Sequence, residues 1–388
     1  MPKPEATSLF ATAPLPTAKL AASETLACLR LIRSENVGPV TFRELINHYG
    51  GAQRALDAVP EISRRAGGKR SIRLCPVREA EAELEAAAAI GAVPLFTIEP
   101  GYPRALANVD APPPLLYVKG RLELLAQPGI AIVGSRMCSA AGAKLAAMLA
   151  QRLGDAGYAI VSGLARGIDG SAHRAAMATG TIAVLAGGLD VIYPPEHNKL
   201  HEQIAHEGCL VTEQPPGFKP RGQDFPRRNR IISGVSLGVV VVEAAARSGT
   251  LVTARYAGEQ GREVFAVPGH PLDPRAEGTN KLIKDGATLV TEASDVVRAL
   301  EPISGLREGR HDFVWVPPVE AVSQTPPVVG DRERDLVLQS LGPAPADLDA
   351  IMRATGLSTR ELQIALMELD LAGLIERPGH GLVALRLS

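Results

Sequence analysis

Short apolar runs that alternate with helical stretches constrain the fold of this chain more than any other feature. The runs cover residues 130–133, 158–161, 181–185, 209–212, 238–242, 264–267 and 287–290. Between them, apolar residues recur at helical spacing, as at Leu145, Met148, Leu149 and Leu153. Buried strands separated by helices predict a parallel sheet with helices on both faces, and right-handed crossovers make that sheet doubly wound. We therefore predict an α/β fold whose ligands bind beyond the carboxyl ends of the strands.

The segments on either side of these runs predict additional domains. At about 150 residues per domain, a chain of this length has room for two to three, and its 46% hydrophobic content is ordinary for a globular protein. We expect a disordered tail over 1–22, a helical domain over 23–100, the α/β core over 110–300, a proline-marked linker over 301–330 and a winged-helix-like domain over 331–388.

The helical segment contains a turn at residues 36–41 between two apolar helical stripes. Helix, glycine turn and helix form the outline of a SAM/helix-hairpin-helix-like unit, which can present backbone N–H groups to a DNA phosphate. A plain helical packing domain fits the pattern equally well. A nearby basic run reads as a solvated face in preference to a phosphate contact; it comprises Arg64, Arg65, Lys69, Arg70, Arg73 and Arg78.

The C-terminal segment predicts three helices followed by a hairpin, the outline of a winged helix. Ser358 and Glu361 form a capping box that opens the third helix. Six basic and nine acidic side chains lie between residues 331 and 388, so this segment carries a net charge of −3. Because an acidic surface binds duplex DNA poorly, we predict that this domain works through protein contacts.

Several classes of site and location are disfavoured. The four cysteines lie far apart, which predicts reduced thiols of a cytoplasmic protein; they are Cys28, Cys75, Cys138 and Cys209. No apolar run approaches the roughly 18 residues of a membrane span, and prolines interrupt the N-terminus where a signal peptide would be apolar. His197, His201 and His206 lack the spacing of a zinc motif, so we expect no metal.

Glycine and basic residues follow the strands at the predicted ligand-binding edge. The first strand leads into Gly134, Ser135 and Arg136, without the GxGxxG pattern or the acid that NAD binding needs. We therefore reject NAD and expect no cofactor. A phosphate site remains, because glycine permits close approach and arginine can chelate phosphate oxygens. The alternative is that Gly134 serves only a tight turn.

The second strand leads into Ser162, Gly163, Arg166 and Gly167, which allow a second phosphate contact. Asp169 and His173 follow at helical spacing and could form an acid–base pair. An aspartate in this position more often caps the helix or orients an arginine.

Residues 218–230 carry five basic side chains and one acid, a net charge of +4 inside a chain of net charge −1. Phe225 lies in the middle of this segment. Basic residues around an aromatic ring suit single-stranded nucleic acid, since the charges hold phosphates and the ring stacks on a base. The alternative is a structural cluster of salt bridges with Phe225 in the core. Ser248, Gly249 and Thr250 form another predicted anion-binding turn, and no Walker A loop is present.

Six ordered blocks resemble the DNA-processing protein A family (DprA, also called Smf). They read VGSR, SGLARGIDGSAH, GGLDVIYPPEHNKL, FPRRNRIISG, VVEAAARSGTLVTA and VFAVPG. The resemblance implies an extended Rossmann-like core that binds single-stranded DNA, usually as a homodimer. It also implies a role in natural transformation, competence and DNA recombination, in which the protein protects incoming DNA and loads the RecA recombinase onto it.

The resemblance also assigns roles to residues. Arg136 would grip phosphate, Phe225 and the arginines of FPRRNR would line the groove, and the turn at 248–250 would donate to the strand. Lys199 would supply positive charge where Glu196 and His197 lower it. The complete predicted nucleic-acid site is Gly134, Ser135, Arg136, Ser162, Gly163, Arg166, Gly167, Lys199, Phe225, Arg227, Arg228, Asn229, Arg230, Ser248, Gly249, Thr250 and Asn280.

We predict no catalytic residue and hence no enzyme. The alternative is a nucleotide-binding or nucleotide-hydrolysing Rossmann-like enzyme with Glu213 or Glu243, at strand ends, as its acid. Against it, the arginine-rich segment exceeds what one small nucleotide needs.

Overall fold

The computed structural model describes residues 19–67, 72–308, 329–342, 344–379 and 381–386. These residues divide into two compact units. The core unit contains residues 86–109 and 116–308, and the terminal unit contains residues 19–85, 110–115 and 329–386. Most of the predicted tail, most of the predicted linker, and Lys69 and Arg70 lie outside the described residues.

Four helices come first in the described part of the chain. They are α1 (Ala22–Ile32), α2 (Pro39–Tyr49), α3 (Ala52–Arg65) and α4 (Val77–Ala89). Proline occupies the first position of α2, where its missing N–H costs nothing, and Gly50 ends this helix in the left-handed conformation at φ +70°. The helical N-terminal region that the sequence predicts is confirmed.

A nine-stranded sheet forms the centre of the core unit. Its strands are β1 (Val93–Phe96), β2 (Leu115–Gly120), β3 (Gly129–Val133), β4 (Ala159–Ser162), β5 (Thr181–Val184), β6 (Cys209–Thr212), β7 (Ser236–Val241), β8 (Glu263–Ala266) and β9 (Thr288–Leu289). They lie in the order β1-β2-β6-β5-β4-β3-β7-β8-β9. Neighbouring strands from β6 to β9 are parallel, whereas β2 is antiparallel to β6.

Helices cover both faces of this sheet. They are α5 (Arg104–Ala107), α6 (Ala140–Asp155), α7 (Ile168–Ala175), α8 (Asn198–Glu207), α9 (Asp224–Gly234), α10 (Thr250–Glu259), α11 (Glu277–Lys284) and α12 (Ala293–Glu308). Along β3, Ile130 and Ile132 pack into one apolar core, while Ala131 and Val133 pack into the core on the other face. Both faces of the sheet are buried, which explains why the strands appear in the sequence as continuous apolar runs. The predicted doubly wound α/β fold is confirmed.

The C-terminal part of the terminal unit has the element order of a winged helix. Its elements are α13 (Asp331–Ser340), β10 (Ala346–Asp347), α14 (Leu348–Thr355), α15 (Thr359–Leu371), β11 (Ile375–Gly379) and β12 (Leu382–Leu385). The three strands pair antiparallel in the order β10-β12-β11. Ser358 and Glu361 make the predicted capping box, since each accepts a hydrogen bond from the other's backbone N–H.

Candidate nucleic-acid interface

Three turns at the carboxyl ends of β3, β4 and β7 are bonded to one another. The Thr250 hydroxyl donates to the Gly134 carbonyl at 3.1 Å, and the Ser135 N–H donates to the Glu243 carbonyl at 2.8 Å. The Ile168 N–H donates to the Ser135 carbonyl at 3.3 Å. Turns that are far apart in the sequence therefore form one connected rim.

Glycine is required for this packing. A β-carbon on Gly134 would lie 2.5 Å from the Ile168 side chain. Gly167 has φ +72°, in the left-handed region, and a β-carbon added there would clash with the Ser135 carbonyl oxygen. Close contact between turns therefore requires glycine at both positions.

An arginine and two aromatic rings meet in a cleft at this rim. The guanidinium carbon of Arg136 lies 5.4 Å from the centre of the Phe225 ring, and the Tyr193 ring centre lies 5.1 Å from that of Phe225. Tyr193 is 46% exposed, and Phe225 is half-buried. The cleft is also lined by Gly163, Ala165, Leu185, Ala186, Gly187, Val191, Pro220 and Arg228. The structure thus brings together Arg136 and Phe225 and adds Tyr193, whose only sequence signal was an aromatic residue in the YPPEHNKL block.

Arg228 borders the cleft, and its side chain is occupied by backbone carbonyls. Its side chain is buried, and Nη1 donates to the carbonyl of Gly163 at 2.7 Å and to that of Val184. Burial lowers the pKa of Arg228 to about 10, with the Asp169 carboxylate opposing this shift. Its guanidinium thus holds the ends of β4 and β5 together beside the cleft.

Asp169 lies in the first turn of α7 and binds the turn that follows β4. Its carboxylate accepts hydrogen bonds from the N–H groups of Gly163 at 3.1 Å and Ala165 at 3.3 Å. Burial raises the pKa of Asp169 above its usual value, and Arg228 and these N–H groups offset only part of that shift. The Ser162 hydroxyl is buried and donates to the Ile132 carbonyl. The N–H groups of this turn are therefore already bound to the Asp169 side chain. Ser162 is buried next to the turn and connects it to β3.

His173 has a partner of its own. Its Nδ1 lies 2.7 Å from the Thr181 hydroxyl. Burial lowers the pKa of His173 to about 3, which keeps the ring neutral. His173 therefore binds Thr181, and Asp169 binds backbone N–H groups. These contacts fit the structural role that was favoured over an acid–base pair.

The two glutamates proposed as catalytic acids are also engaged. The Glu243 carboxylate accepts from the Ser139 N–H at 2.9 Å and from the Ser139 hydroxyl, at the N-terminus of α6. Glu213 pairs with Arg227 at 3.3 Å and with Arg230. The Arg227 side chain is 62% exposed, whereas that of Arg230 is 18% exposed. Glu213 and Asp169 thus offset part of the positive charge counted over residues 218–230.

The remaining predicted residues surround the rim at different depths. Asn229 donates to the Gly249 carbonyl at 3.4 Å, and the Ser248 hydroxyl accepts from the Thr250 N–H at 3.2 Å. Arg166 is exposed and pairs with Glu196, and Lys199 is exposed on α8. The Asn280 amide bonds the N–H and carbonyl of Gly269 at 3.1 and 3.0 Å.

Within the part of the chain that the structure describes, no three His, Cys, Asp or Glu side chains cluster as a metal site would require. None of its helices combines the length and apolarity that crossing a bilayer demands.

Three family models match successive parts of the chain. The model of the family described as DNA recombination-mediator protein A matches residues 94–301. A DprA-like N-terminal HHH domain matches residues 22–86, and a DprA winged helix domain matches residues 321–380.

Two relatives and one solved structure are similar over long stretches. Protein Smf of Escherichia coli is 42% identical over 289 residues, covering 73% of this chain and 75% of the relative. The DNA processing protein DprA of Streptococcus pneumoniae is 46% identical over 211 residues, 54% of this chain and 74% of the relative. The X-ray structure of that pneumococcal protein superposes with a TM-score of 0.59 at 35% identity, covering 72% of this chain and 98% of the other. The chain belongs to the DNA recombination-mediator protein A family, also called DprA or Smf.

Proposed function

We propose that this protein binds single-stranded DNA along the rim of its sheet. The observation that carries the proposal is the cleft in which Arg136, Tyr193 and Phe225 meet. An aromatic ring stacks on an unpaired base, and such a contact contributes about 1–3 kcal/mol. In a duplex the base faces are covered by their neighbours, so two accessible rings favour a single strand.

We infer from side-chain exposure that some residues of this region contact the DNA and that others support them. Arg136, Arg166, Lys199 and Arg227 are exposed and are suited to phosphates, and Ser248 and Gly249 present a turn beside them. Arg228, Asp169 and Ser162 are buried and hold the strand ends that carry the rim. We assign the first group to the DNA and the second to the shape of the groove.

The same contacts argue against a nucleotide-hydrolysing enzyme. In dinucleotide-binding folds the pyrophosphate binds at the helix N-terminus that follows the first strand of the fold. Here the Glu243 carboxylate accepts hydrogen bonds at the start of α6, the helix that follows β3. A phosphate at that position would meet a like charge.

We further propose that the bound strand is passed to the RecA recombinase, that the protein works as a homodimer, and that it acts in the cytoplasm during natural transformation and recombination. The match to a recombination-mediator family and the similarity to a pneumococcal DNA processing protein support this proposal. In a RecA-loading assay on single strands coated with a single-strand-binding protein, the protein should shorten the lag before RecA filaments form. An unchanged lag would remove RecA loading while leaving DNA binding intact.

Titration of the protein with oligo-dT and with a duplex of equal length, at two salt concentrations, tests the binding proposal. Oligo-dT should bind more tightly than the duplex. Phe225→Ala should weaken oligo-dT binding by about 1–3 kcal/mol with little change in salt dependence, because the ring carries no charge.

The matched control is Tyr256→Ala. Tyr256 also lies beside an arginine, with the Arg255 guanidinium carbon 5.3 Å from its ring, but on α10 and not among the residues that line the cleft. Its loss should leave affinity unchanged. Equal losses in the two variants, or tighter binding of the duplex, would contradict the proposed site.

A further inference from the structure

Helix α15 of the winged helix is buried on two opposite sides. At 100° per residue, Leu362, Ala365, Leu366 and Leu369 share one side, and they pack in the winged-helix core. Met367 and Leu371 lie on the other side and are also buried. In the winged-helix order of elements, α15 is the helix that would enter a DNA groove, and this second side is the one it would present.

Helices α2 and α3 cover that second side. The Thr41 hydroxyl donates to the Asp370 carboxylate, and the Ser63 hydroxyl lies 3.5 Å from the Leu371 carbonyl. Arg65 at the end of α3 pairs with Glu368 at 3.8 Å. The partner of the groove-facing side is therefore the N-terminal helical segment of the same chain.

The hairpin of the winged helix makes a second set of contacts with α2. Arg377 on β11 donates to both carboxylate oxygens of Glu44, at 3.0 and 3.3 Å, and its Nε lies 3.5 Å from the Asp370 carboxylate. A fork of this kind fixes orientation as well as distance. Glu368 and Asp370, which make the C-terminal segment acidic, are thus contact residues for α3 and α2.

The turn between α1 and α2 is held in the same contact. Asn36 lies in this turn with φ +58°, and its amide donates to the Leu371 carbonyl at 3.1 Å. Arg386 donates to the Asn36 side-chain oxygen at 3.2 Å. This is the turn that a helix-hairpin-helix would offer to a phosphate.

We propose that the two duplex-binding motifs of this chain mask each other. The helix-hairpin-helix turn and α15 form one closed intrachain interface, so neither binds duplex DNA while the terminal unit is folded. The winged helix serves here as a clamp on the N-terminal helices. This inference does not depend on the single-strand site, which lies in the core unit.

Hydrogen exchange of the full-length chain tests this interface with two matched substitutions on α15. Met367→Arg places a charge on the covered side, and Gln363→Arg places the same charge at an exposed position of the same helix. We expect Met367→Arg to speed exchange in both α2 and α15 by at least about tenfold, with Gln363→Arg matching the wild type. Equal exchange in the two variants would overturn the proposal.

A double-mutant cycle decides the case in which Met367→Arg unfolds the whole winged helix. Glu44→Gln, Arg377→Gln and the double variant should show a coupling in their urea midpoints, because the two side chains form one ion pair across the interface. Additive effects would contradict the closed interface.

Binding of a duplex oligonucleotide supplies the functional arm. Arg360 is exposed at the start of α15, and Arg360→Ala should leave duplex affinity unchanged. A loss of duplex affinity in this variant, with oligo-dT affinity retained, would show that α15 enters a groove and would overturn the proposal.

Discussion

At the scale of single residues, neighbouring arginines of one motif have opposite roles. Arg227 and Arg228 are adjacent in the sequence, yet the first is exposed on α9 and the second is buried against strand ends. Composition identified the basic segment correctly but could not tell which side chains point inward. That depends on the rotation of α9 against the sheet.

The buried Arg228 side chain should matter for stability. Arg228→Ala removes the donor to the buried carbonyls of Gly163 and Val184, and an unsatisfied buried polar group costs about 1–3 kcal/mol. Arg227→Ala, its exposed neighbour, should change the free energy of unfolding by less than about 1 kcal/mol. Urea unfolding measures both, and similar losses would show that Arg228 does not hold the strand ends.

His173 predicts a specific dependence of stability on pH. Its folded-state pKa of about 3 lies below the unfolded value near 6.5. Between these values the unfolded chain binds a proton that the folded chain does not, so this residue lowers stability as pH falls below 6.5. The slope approaches about 1.4 kcal/mol per pH unit.

Urea midpoints between pH 7 and 5 check this expectation. His173→Gln should flatten the profile, whereas His206→Gln, which changes an exposed histidine on α8, should leave it as in the wild type. An identical slope in wild type and His173→Gln would contradict the assignment.

At the scale of elements, the sequence predicted seven of the nine strands of the sheet but not the two outer strands at one side. The seven strands β3 to β9 follow from apolar runs, because both faces of a parallel sheet are buried. Strands β1 and β2 were missed. The prolines before β2 indicated a domain entry, and β1 lies in a segment expected to be helical. Tyr193 was missed for a related reason, since its contact with Phe225 joins segments that no local pattern connects.

The β4–α7 turn should depend on Gly167. Gly167→Ala would force a side chain into the left-handed region and against the Ser135 carbonyl. Gly261→Ala is the matched control, because Gly261 has φ +65° but open space around it. We expect a cost of about 1 kcal/mol for the control and a clearly larger loss for Gly167→Ala. Only Gly167→Ala should also weaken oligo-dT binding. Equal losses of unfolding free energy in the two variants would show that the β4–α7 turn can adapt to a side chain.

At the scale of the whole molecule, the proposed single-strand site belongs to one of the two units. Oligo-dT that binds the core unit should stabilise that unit by about 2.7 kcal/mol at a ligand concentration one hundred times the Kd. Hydrogen exchange resolves the units: protection should rise in β3, β4 and β7 and stay unchanged in α13 and α14. Equal gains in both units would place DNA contacts outside the rim.

The Glu243 carboxylate, bound at the N-terminus of α6, has a consequence for how the protein could be controlled. In dinucleotide-binding folds the phosphates of the cofactor bind at this helix N-terminus. In this protein the negatively charged Glu243 side chain occupies the same position. We therefore expect ATP and other free nucleotides to be poor competitors for this protein. The affinity of the proposed site for DNA should then not depend on the ATP concentration in the cell. Inhibitors built on an adenosine scaffold should not bind at this position.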